Sequence, residues 1–431
     1  MDVNNLLSEL KYRGLINQTS GDVKSVLSKP TSFYIGLDPT ADSLGIHHMI
    51  GLLVSKILQK YGHTPIILVG GATCAIGDPS GKSEERKVIS MENVFHNVEC
   101  VKNQVSKIID FYSDKDNCAI MVNNYDWMKD FTFLDFMREV GKKITVNYLM
   151  AKDNVKKRLE REGSGISFQE FSYGLMQGFD FVYLHRKYGC SCELGGSDNL
   201  GNIVTGVDLL RKMDGVTDVC GITWDLITTA DGRKFGKTEG NTVWLDANKT
   251  SPYEFMQFWI NQSDADAIKF AKMFLVDNSI EEIEEMIKAH TEHPEKRLLQ
   301  NALAKYMTTM VHGEDAYNKA VNASNILFGK STADDLASLD DNTFKAVMRD
   351  VPTVETDFNN INGTNVLDFL CTVVKLGSKS ELRKLINSNA ISINKNKITD
   401  SKSVVDKNML LPNNTMLVQK GKKKYTLVIA K

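Results

Sequence analysis

The amino-acid sequence predicts an α/β fold with a mostly parallel sheet, followed by an all-helical domain and a small α+β domain. From residue 31 to about 230, short apolar segments alternate with amphipathic helical patterns, which is typical of a parallel sheet covered by helices on both faces. Residues 251–330 show helical patterns alone, with explicit capping signals. Residues 364–431 combine one capped helix with short strand patterns separated by turns.

Length and composition limit the class of protein. The 431 residues are enough for two or three domains, and a charged fraction of 25% with a hydrophobic fraction of 42% is typical of a globular protein. A net charge of −2 argues against a uniformly basic nucleic-acid-binding surface but allows a local basic patch. Seven cysteines without a C-x-x-C pair indicate neither a disulfide framework nor a zinc site. Because no signal peptide or membrane-spanning stretch is apparent, we expect a cytoplasmic protein without membrane association.

The chain is organised around its first strand–helix–strand unit. Aromatic and β-branched residues at 33–37 predict a strand that Asp38 and Pro39 end, and an apolar 3.6-residue period over 46–61 predicts a helix. In such a Rossmann-like βαβ unit, ligands lie at the carboxyl ends of the strands, and the free N–H groups of the helix N-terminus favour a phosphate. The predicted strands of this domain are 33–37, 66–69, 119–122 and 192–195.

One predicted helix carries polar residues on a single face. Ser167 and Glu170 form a capping box at its start. Tyr173, Gln177 and Asp180 are spaced by four and three residues, so their side chains converge. This pattern is compatible with a solvated polar face or with a ligand site.

Several glycine-rich or polar turns follow predicted strands. Residues 77–82, with the sequence GDPSGK, suggest a P-loop, but that motif requires glycine where Ile76 stands, which disfavours a P-loop kinase or NTPase. Asn123 follows one strand, and Asp198 follows another in the sequence GGSD. The segment KFGKT at 234–238 lies between further glycines. Lysines in such loops are also compatible with an ordinary solvated surface.

Taken together, these segments resemble one family. The stretches are FYIGLDPTADSL, VGGATCAIGDPSGK, NNYDW, FSYGLMQGFDF, GGSDNLGN and KFGKT, in the same order and with similar spacing. They resemble the bacterial tyrosyl-tRNA synthetases, which are class I aminoacyl-tRNA synthetases, over essentially the whole chain. The resemblance implies a tyrosine–tRNA ligase that joins L-tyrosine to ATP, releases pyrophosphate, and transfers the tyrosyl group to tRNA(Tyr).

The resemblance also implies a division of the chain. The expected segments are a Rossmann-like catalytic domain at 1–230 with a dimer-interface insertion at about 127–165, a signature-loop linker at 231–250, a helical anticodon-binding-type domain at 251–330, and a ribosomal-type RNA-binding domain at 364–431. The acidic and polar composition of 331–363 predicts a linker with a helical turn or two between the last two domains.

For the amino acid, the resemblance implies two groups of contacts. Tyr34 and Asp180 are expected to hydrogen-bond the phenolic hydroxyl of tyrosine. The ammonium group is expected to be held by Tyr173, Gln177 and Asp78. Asn123 is expected to help form the same pocket.

For the nucleotide and the RNA, the implied residues lie in the motif loops and near the C-terminus. The ATP-binding residues are Gly36, Asp38, His47, His48, Asp198, Lys234 and Lys237. The catalytic residues are Lys234, Lys237, Thr40, His48 and Lys82. The tRNA-binding residues are Arg383, Lys384, Lys422, Lys423 and Lys424. Mg²⁺ is expected to accompany ATP, no protein-bound metal is expected, and the protein is expected to be a homodimer.

The sequence departs from the family at its first signature. The family has His-x-Gly-His where this chain has Gly45, Ile46, His47 and His48. His47 is expected either to swing out and lend its ring to the phosphates, or to fill the adenine position, so we expect weakened activation. The alternative is a degenerate paralogue that binds tyrosine or RNA but activates poorly. A second departure places Asn199 and Leu200 where the family has Gln-Trp.

Overall fold

The structure is a computed structural model that describes residues 2–78, 89–152, 155–156, 159–160, 165–232, 235–238, 241–328, 332–349, 351–421 and 424–431, with the backbone alone at 237, 238, 241, 327 and 328. The chain forms two compact units. The first comprises Met1–Thr250 and Phe258–Val311, and the second comprises Ser251–Gln257 and His312–Lys431.

A mixed sheet, parallel except at one edge, forms the centre of the first unit. Its described strands lie in the order β1-β6-β5-β2-β3-β4, and only β1 is antiparallel to its neighbour. The strands are β1 (Thr19–Ser20), β2 (Ser32–Leu37), β3 (Thr64–Val69), β4 (Ile120–Asn123), β5 (Cys190–Gly196) and β6 (Cys220–Trp224). The predicted α/β class and the four predicted strands are confirmed.

The sequence analysis missed two strands of this sheet for different reasons. All five residues of β6 are buried, so the strand has no alternation of polar and apolar residues to mark it. β1 has only two residues, and its pairing with β6 depends on a contact across about two hundred residues of sequence. Neither strand could be recognised from a local pattern.

Helices cover the sheet and continue through the rest of the chain. They are α1 (Val3–Tyr12), α2 (Val23–Val26), α3 (Met49–Lys60), α4 (Gly71–Ile76), α5 (Met91–Val105), α6 (Tyr125–Met128), α7 (Phe133–Glu139), α8 (Val146–Met150), α9 (Phe168–Tyr188), α10 (Leu200–Asp214), α11 (Pro252–Ile260), α12 (Asp264–Phe274), α13 (Ile280–Glu292), α14 (Leu298–His312), α15 (Glu314–Phe328), α16 (Ala333–Ala337), α17 (Asp341–Met348), α18 (Val366–Asp368) and α19 (Lys379–Asn387).

Capping chemistry explains where several helices begin. The Ser167 hydroxyl accepts a hydrogen bond from the Glu170 N–H at the start of α9, and Ser279 with Glu282 forms a complete capping box at α13. α9 ends at Gly189, whose φ of 64° is readily adopted by glycine. The predicted helical stretch at 251–330 is confirmed by α11–α15. The described residues of the predicted insertion, 127–165, also form helices and no strand.

The second unit contains a five-stranded sheet in the order β12-β11-β14-β15-β9. Its strands are β9 (Thr353–Thr356), β11 (Ile391–Ile393), β12 (Asn396–Lys397), β14 (Thr415–Lys420) and β15 (Lys424–Ala430), and a separate pair consists of β10 (Thr364–Asn365) and β13 (Val404–Val405). The predicted hairpin at 390–399 is confirmed: Asn394 and Lys395 turn the chain with positive φ.

The segment 331–363, predicted to be a linker with a helical turn or two, contains a strand as well as helices. Two helices, α16 and α17, lie within it, and β9 pairs in parallel with β15 at the edge of the C-terminal sheet. Acidic residues take part in both caps, since Asp335 accepts from the Thr332 N–H at the start of α16 and Asp340 accepts from the Thr343 N–H at the start of α17. Composition indicated a linker because an edge strand and short capped helices carry many polar residues.

Two further observations concern the whole described chain. All seven cysteines are free. Among the described helices, none combines the length and the apolar character needed to cross a bilayer.

Candidate active site

The predicted motifs meet at one edge of the parallel sheet. Asp38 follows β2, Gly70 and Gly71 follow β3, Asn124 follows β4, and Asp198 follows β5. Because these strands are parallel, their carboxyl ends lie side by side. α9 crosses this region and brings Tyr173, Gln177 and Asp180 to it, and the contacts described below follow from that arrangement.

Asp180 is a deeply buried acceptor of the site. Its carboxylate accepts hydrogen bonds from Asn124 Nδ2 at 3.0 Å and from Trp127 Nε1 at 2.9 Å. Burial, at 1% exposure, raises the pKa of the Asp180 carboxyl to about 8, although both hydrogen bonds favour the ionised form. Each carboxylate oxygen has two lone pairs, so Asp180 retains capacity for a further donor such as a phenolic hydroxyl.

Tyr34 lies on β2 beside this carboxylate. Its hydroxyl is buried and, within the described part of the chain, makes no hydrogen bond of ordinary geometry, while the Glu193 carboxylate lies near enough to interact with it. Burial, with the Glu193 and Asp180 carboxylates nearby, holds the pKa of Tyr34 well above its ordinary value, so the hydroxyl keeps its proton. A buried donor without a partner costs free energy. A ligand with a hydroxyl group would satisfy Tyr34 and Asp180 together.

Tyr173 belongs to a second hydrogen-bonded group, one that involves Asp38. The Tyr173 hydroxyl donates to Asp38 Oδ2 at 2.8 Å, and the Thr73 hydroxyl donates to Asp38 Oδ1 at 2.7 Å. Asp38 was predicted to bind ATP, yet the structure joins it to a residue predicted to bind the amino acid. Asp78, at the end of the described segment, also contributes to raising the pKa of Tyr173, for which burial is the largest cause.

Gln177 extends the site toward β5. Its Nε2 donates to Glu193 Oε1 at 2.7 Å, and its Oε1 accepts from Asn202 Nδ2 at 3.0 Å. Glu193 is 1% exposed, and burial raises the pKa of its carboxyl to about 7. Its second oxygen, Oε2, has no hydrogen-bond partner among the described residues.

The pocket is therefore acidic along its length. Asp38, Asp78, Asp180 and Glu193 each influence the ionisation of a neighbouring residue in it. Carboxylates so close together are stabilised by a bound cation. An acceptor for a hydroxyl at one position and carboxylates for a cation at another suit an amino acid with a phenolic side chain.

Asn123, predicted to help form the pocket, has a structural role in the described contacts. Its Oδ1 accepts from the N–H groups of Gly71, at 3.2 Å, and Tyr125, at 3.0 Å, and so ties the ends of β3 and β4 together. Its neighbour Asn124 makes the direct contact with Asp180, and its Oδ1 accepts from the Ala72 N–H at 2.7 Å.

The first signature, which begins at Gly45, lies against the segment that contains Gly236, beside the start of α3. The backbone of residues 44–46 pairs with residues 243–245, which follow the hairpin of β7 (Lys237–Thr238) and β8 (Asn241–Thr242). A Cβ at Gly236 would lie 2.6 Å from the Ile46 side chain and 4.0 Å from His47 Cβ. The backbone of Gly236 is thus held directly next to His47.

His47 lies over Gly45. A Cβ at Gly45 would lie 2.7 Å from His47 Cε1 and 2.8 Å from Nδ1, so the imidazole occupies the space into which a side chain at 45 would project. The His47 and His48 rings pack with centroids 4.0 Å apart, and His48 Nδ1 lies 3.1 Å from both the backbone nitrogen and the carbonyl oxygen of Gly45. The imidazole of His47 is exposed beside the helix N-terminus.

The other residues predicted to bind or activate ATP lie either at the same edge of the parallel sheet or outside the described residues. Gly36, Thr40 and Asp198 are exposed at or just beyond the carboxyl ends of β2 and β5. Lys82 and Lys234 lie outside the described residues, and Lys237 is described by its backbone alone. Asn199 Oδ1 is buried and, among the described residues, has no hydrogen-bond partner.

The predicted RNA-binding residues belong to the second unit. Arg383 and Lys384 are exposed on α19, and Lys424 is exposed at the start of β15. Lys420 Nζ contacts Glu381 Oε1 at 2.7 Å, which ties α19 to the β14–β15 turn. Lys422 and Lys423 lie outside the described residues.

Three pocket residues escaped the sequence analysis: Asn124, Trp127 and Glu193. Glu193 did have a signal, because it is the one charged residue in the otherwise small and apolar strand CSCELGG. Asn124 and Trp127 stand in the recognised motif NNYDW, but their contacts with Asp180 span more than fifty residues of sequence. In the described segments, no group of three or more His, Cys, Asp and Glu side chains could hold a metal ion.

Comparison with known proteins places this site in a family. The family model described as tRNA synthetases class I (W and Y) matches residues 27–329, and that described as tyrosine–tRNA ligase SYY-like C-terminal domain matches residues 343–428. The tyrosine–tRNA ligase of Bacteroides fragilis is 48% identical over 99% of this chain and 100% of its own length. That of Parabacteroides distasonis is 49% identical with the same coverage.

Solved structures agree with this assignment. A C-terminally truncated mitochondrial tyrosyl-tRNA synthetase of Aspergillus nidulans has a TM-score of 0.66 and 30% identity, covering 75% of this chain and 94% of its own. The tyrosyl-tRNA synthetase of Archaeoglobus fulgidus, 16% identical over 73% of this chain and 99% of its own, has a TM-score of 0.53 and supports the fold alone. The two family models and the full-length identity lead to one conclusion: the chain belongs to the tyrosine–tRNA ligases among the class I aminoacyl-tRNA synthetases.

Proposed function

We propose that this protein activates L-tyrosine with ATP and transfers the tyrosyl group to tRNA(Tyr). The observation that supports this most directly is the pocket in which the buried Tyr34 hydroxyl and the Asp180 carboxylate lie together. A substrate phenol accepts from Tyr34 and donates to Asp180. Phenylalanine would offer the Tyr34 hydroxyl no acceptor, and it would leave unused the acceptor capacity that Asp180 keeps beyond its bonds with Asn124 and Trp127. A buried polar group left unsatisfied costs about 1–3 kcal/mol.

The ammonium group of tyrosine is bound at the end of the pocket that contains Tyr173 and Asp38. Tyr173 and Asp38 form a hydrogen-bonded pair there, and Gln177 and Asp78 complete the set that we assign to the ammonium. A cation placed among these carboxylates lowers their mutual repulsion. Because Asp38 is joined to Tyr173, we assign it to this end of the pocket as well as to the boundary with ATP.

Activation is a displacement at the α-phosphorus of ATP. An oxygen of the tyrosine carboxylate bonds to the α-phosphorus, the bond to the bridging oxygen of the β-phosphate breaks, and pyrophosphate leaves. The nucleophile needs no general base, since a carboxylate is already ionised at neutral pH. The protein therefore acts by positioning and by stabilising charge on the phosphates, to which we assign Lys82, Lys234, Lys237, Thr40 and the two histidines.

The second step transfers the tyrosyl group from the adenylate to RNA. A terminal ribose hydroxyl of tRNA attacks the carbonyl carbon, and AMP leaves. ATP enters as its magnesium complex, and Mg²⁺ is part of the substrate in this proposal. Because its tRNA and ATP substrates are cytoplasmic in bacteria, we place the protein in the cytoplasm.

Tyrosine-dependent exchange of pyrophosphate into ATP tests the proposed activity. The exchange requires that the enzyme form tyrosyl-adenylate reversibly. Exchange with tyrosine and none with phenylalanine is the expected result. Tyrosine binding without exchange would favour the degenerate paralogue, which the full-length identity to named ligases disfavours. ATP hydrolysis independent of tyrosine would instead favour an NTPase.

We also propose that the protein is a homodimer that pairs through the insertion at 127–165. Phe133 and Leu134 on α7 are 68% and 71% exposed, and Val146 at the start of α8 is 59% exposed. Large apolar side chains gathered on one exposed segment are typical of a protein–protein interface. Sedimentation velocity should give a dimer for the unchanged chain and a monomer for the Phe133→Glu/Leu134→Glu variant. A dimer that persists in the variant would contradict this location.

RNA binding is assigned to the exposed basic residues of the second unit. Arg383→Glu with Lys384→Glu should lower kcat/KM for tRNA charging by about tenfold or more and reduce the dependence of binding on salt, because each phosphate contact adds to the salt slope. Pyrophosphate exchange should be unchanged, since it needs no tRNA. Lys319→Glu, an exposed lysine on α15, controls for a general change of charge. An equal loss in this control would remove the specific assignment.

A further inference from the structure

We propose that Glu193 is a positioning residue for the amino group of the substrate, acting through the side-chain amide of Gln177. Glu193 Oε1 accepts a hydrogen bond from Gln177 Nε2, and this contact fixes which end of the amide faces β5. The inference rests on the proposed function, because it concerns the same amino-acid pocket. It assigns a role to a strand residue outside the segments on which the site was predicted.

The argument begins with the two ends of a glutamine amide. They are nearly identical in shape but opposite in chemistry, since Nε2 donates two hydrogen bonds and Oε1 accepts two. An ionised carboxylate can only accept, so it selects Nε2 and excludes Oε1. The 2.7 Å distance between Gln177 Nε2 and Glu193 Oε1 is that of a short, charge-assisted hydrogen bond.

Asn202 on α10 supports the same orientation from the other end. Its Nδ2 donates to Gln177 Oε1 at 3.0 Å, and the residue is only 5% exposed. Asn202 uses one lone pair of Oε1 and leaves the other available to an N–H donor. An ammonium group has three donors and no acceptor, so it requires an oxygen. Glu193 and Asn202 together hold Gln177 with its acceptor available.

The charge of Glu193 also contributes directly. The groups that face it are Tyr34 from β2, Asp180 and Gln177 from α9, Gly206 from α10, and Cys190 and Cys192 from its own strand. None of these side chains carries a positive charge. A buried carboxylate without a cationic partner favours binding of an ammonium group nearby.

Titration of Glu193 provides a signature that a purely structural residue would lack. Burial raises the pKa of its carboxyl to about 7, so the carboxylate is lost as the pH falls through 7. A protonated Glu193 can itself donate and no longer selects the Nε2 end of Gln177. Affinity for an amino-bearing ligand should therefore fall as the pH decreases from 8 to 6. Asp180 also titrates in this range, but it acts on the phenol and affects ligands with and without an amino group alike.

The experiment compares two ligands on three proteins by calorimetry between pH 6 and 8.5. The ligands are L-tyrosine and 3-(4-hydroxyphenyl)propanoate, which lacks the amino group. The proteins are the unchanged chain, Glu193→Gln, and Glu170→Gln as the control, because Glu170 is an equally buried glutamate on α9. At pH 8, Glu193→Gln should weaken tyrosine binding by about tenfold and binding of the analogue by less than about twofold, in keeping with loss of one charged hydrogen bond.

The pH profile gives the second readout. The unchanged chain and Glu170→Gln should lose more affinity for tyrosine than for the analogue on going from pH 8 to 6, and Glu193→Gln should lose the same for both. The proposal would be overturned if Glu193→Gln lost affinity equally for both ligands at pH 8. It would also be overturned if the pH dependence of affinity in Glu193→Gln were the same as in the unchanged chain. If the unchanged chain binds no tyrosine, the proposed function itself fails. Should Glu193→Gln not fold, Asn202→Ala provides the same test, with the same selective loss expected.

Discussion

Replacing Lys234 or Lys237 with alanine should slow formation of tyrosyl-adenylate by about 10²–10³-fold, the usual cost of removing one donor that stabilises charge in a transition state. Tyrosine affinity should change by less than about twofold, because the tyrosine pocket is built from other segments. Single-turnover rates after rapid mixing with ATP, together with tyrosine binding at equilibrium, measure the two quantities separately. Lys288→Ala, an exposed lysine on α13, is the matched control.

The structure gives this prediction a physical basis in the backbone. The KFGKT segment turns at Gly236, with φ of 81°, and its carbonyl accepts from the Val243 N–H at 2.9 Å. The glycine lies against Ile46 and His47, which begin the helical turn at the start of α3. The backbone of Lys237 follows this glycine directly and is thereby attached next to the N-terminus of that helix, where phosphates are favoured.

The ratio of effects decides the role of the loop. Stabilisation that exists only in the transition state lowers the rate and leaves ground-state binding intact. A parallel loss in tyrosine affinity would show that the lysines act in the amino-acid pocket. If Lys234→Ala and Lys237→Ala slow adenylate formation no more than Lys288→Ala does, the two lysines take no part in catalysis.

How much of the fold could be predicted depended on how far apart in the sequence the interacting residues lie. The strands β2 to β5 were recognisable because buried parallel strands are short apolar runs bounded by turn residues. The helices α9 and α13 were recognisable because a capping box is a pattern over four residues. In contrast, β9 was missed because its place in the C-terminal sheet depends on β15, about seventy residues later.

The same distinction applies to the site. Tyr173, Gln177 and Asp180 share a helix face, so their convergence could be predicted from spacing alone. Their partners Asp38, Glu193, Asn124 and Trp127 lie on other elements, and nothing local in the sequence pairs them. The exchange between Gly45 and His47 was visible as a departure from the family, but whether the ring of His47 lies over the glycine could be decided only in three dimensions.

His47→Ala should slow tyrosyl-adenylate formation by about 10–100-fold, which corresponds to about 1.4–2.7 kcal/mol. From the sequence, the altered signature was expected to weaken activation, and restoring the family order with Gly45→His and His47→Gly was expected to raise the rate at least tenfold. The structure changes that expectation. The His47 imidazole occupies the space into which a side chain at position 45 would project, so the exchange places an imidazole where one already lies.

The exchanged double variant should therefore have a rate within about threefold of the unchanged chain, since it gains little transition-state stabilisation. Gly45→Ala is the informative companion, because its Cβ would lie 2.7 Å from His47 Cε1 and must displace the ring. Gly45→Ala should slow tyrosyl-adenylate formation by about the same factor as His47→Ala, and tyrosine affinity should be unchanged in both variants. Single-turnover measurements on the four proteins decide the matter. If the double variant is tenfold faster, the ring of His47 is in the wrong place for the phosphates, and the altered signature is a real loss of activity. If His47→Ala has no effect, the lysines and the helix N-terminus stabilise the leaving pyrophosphate without His47.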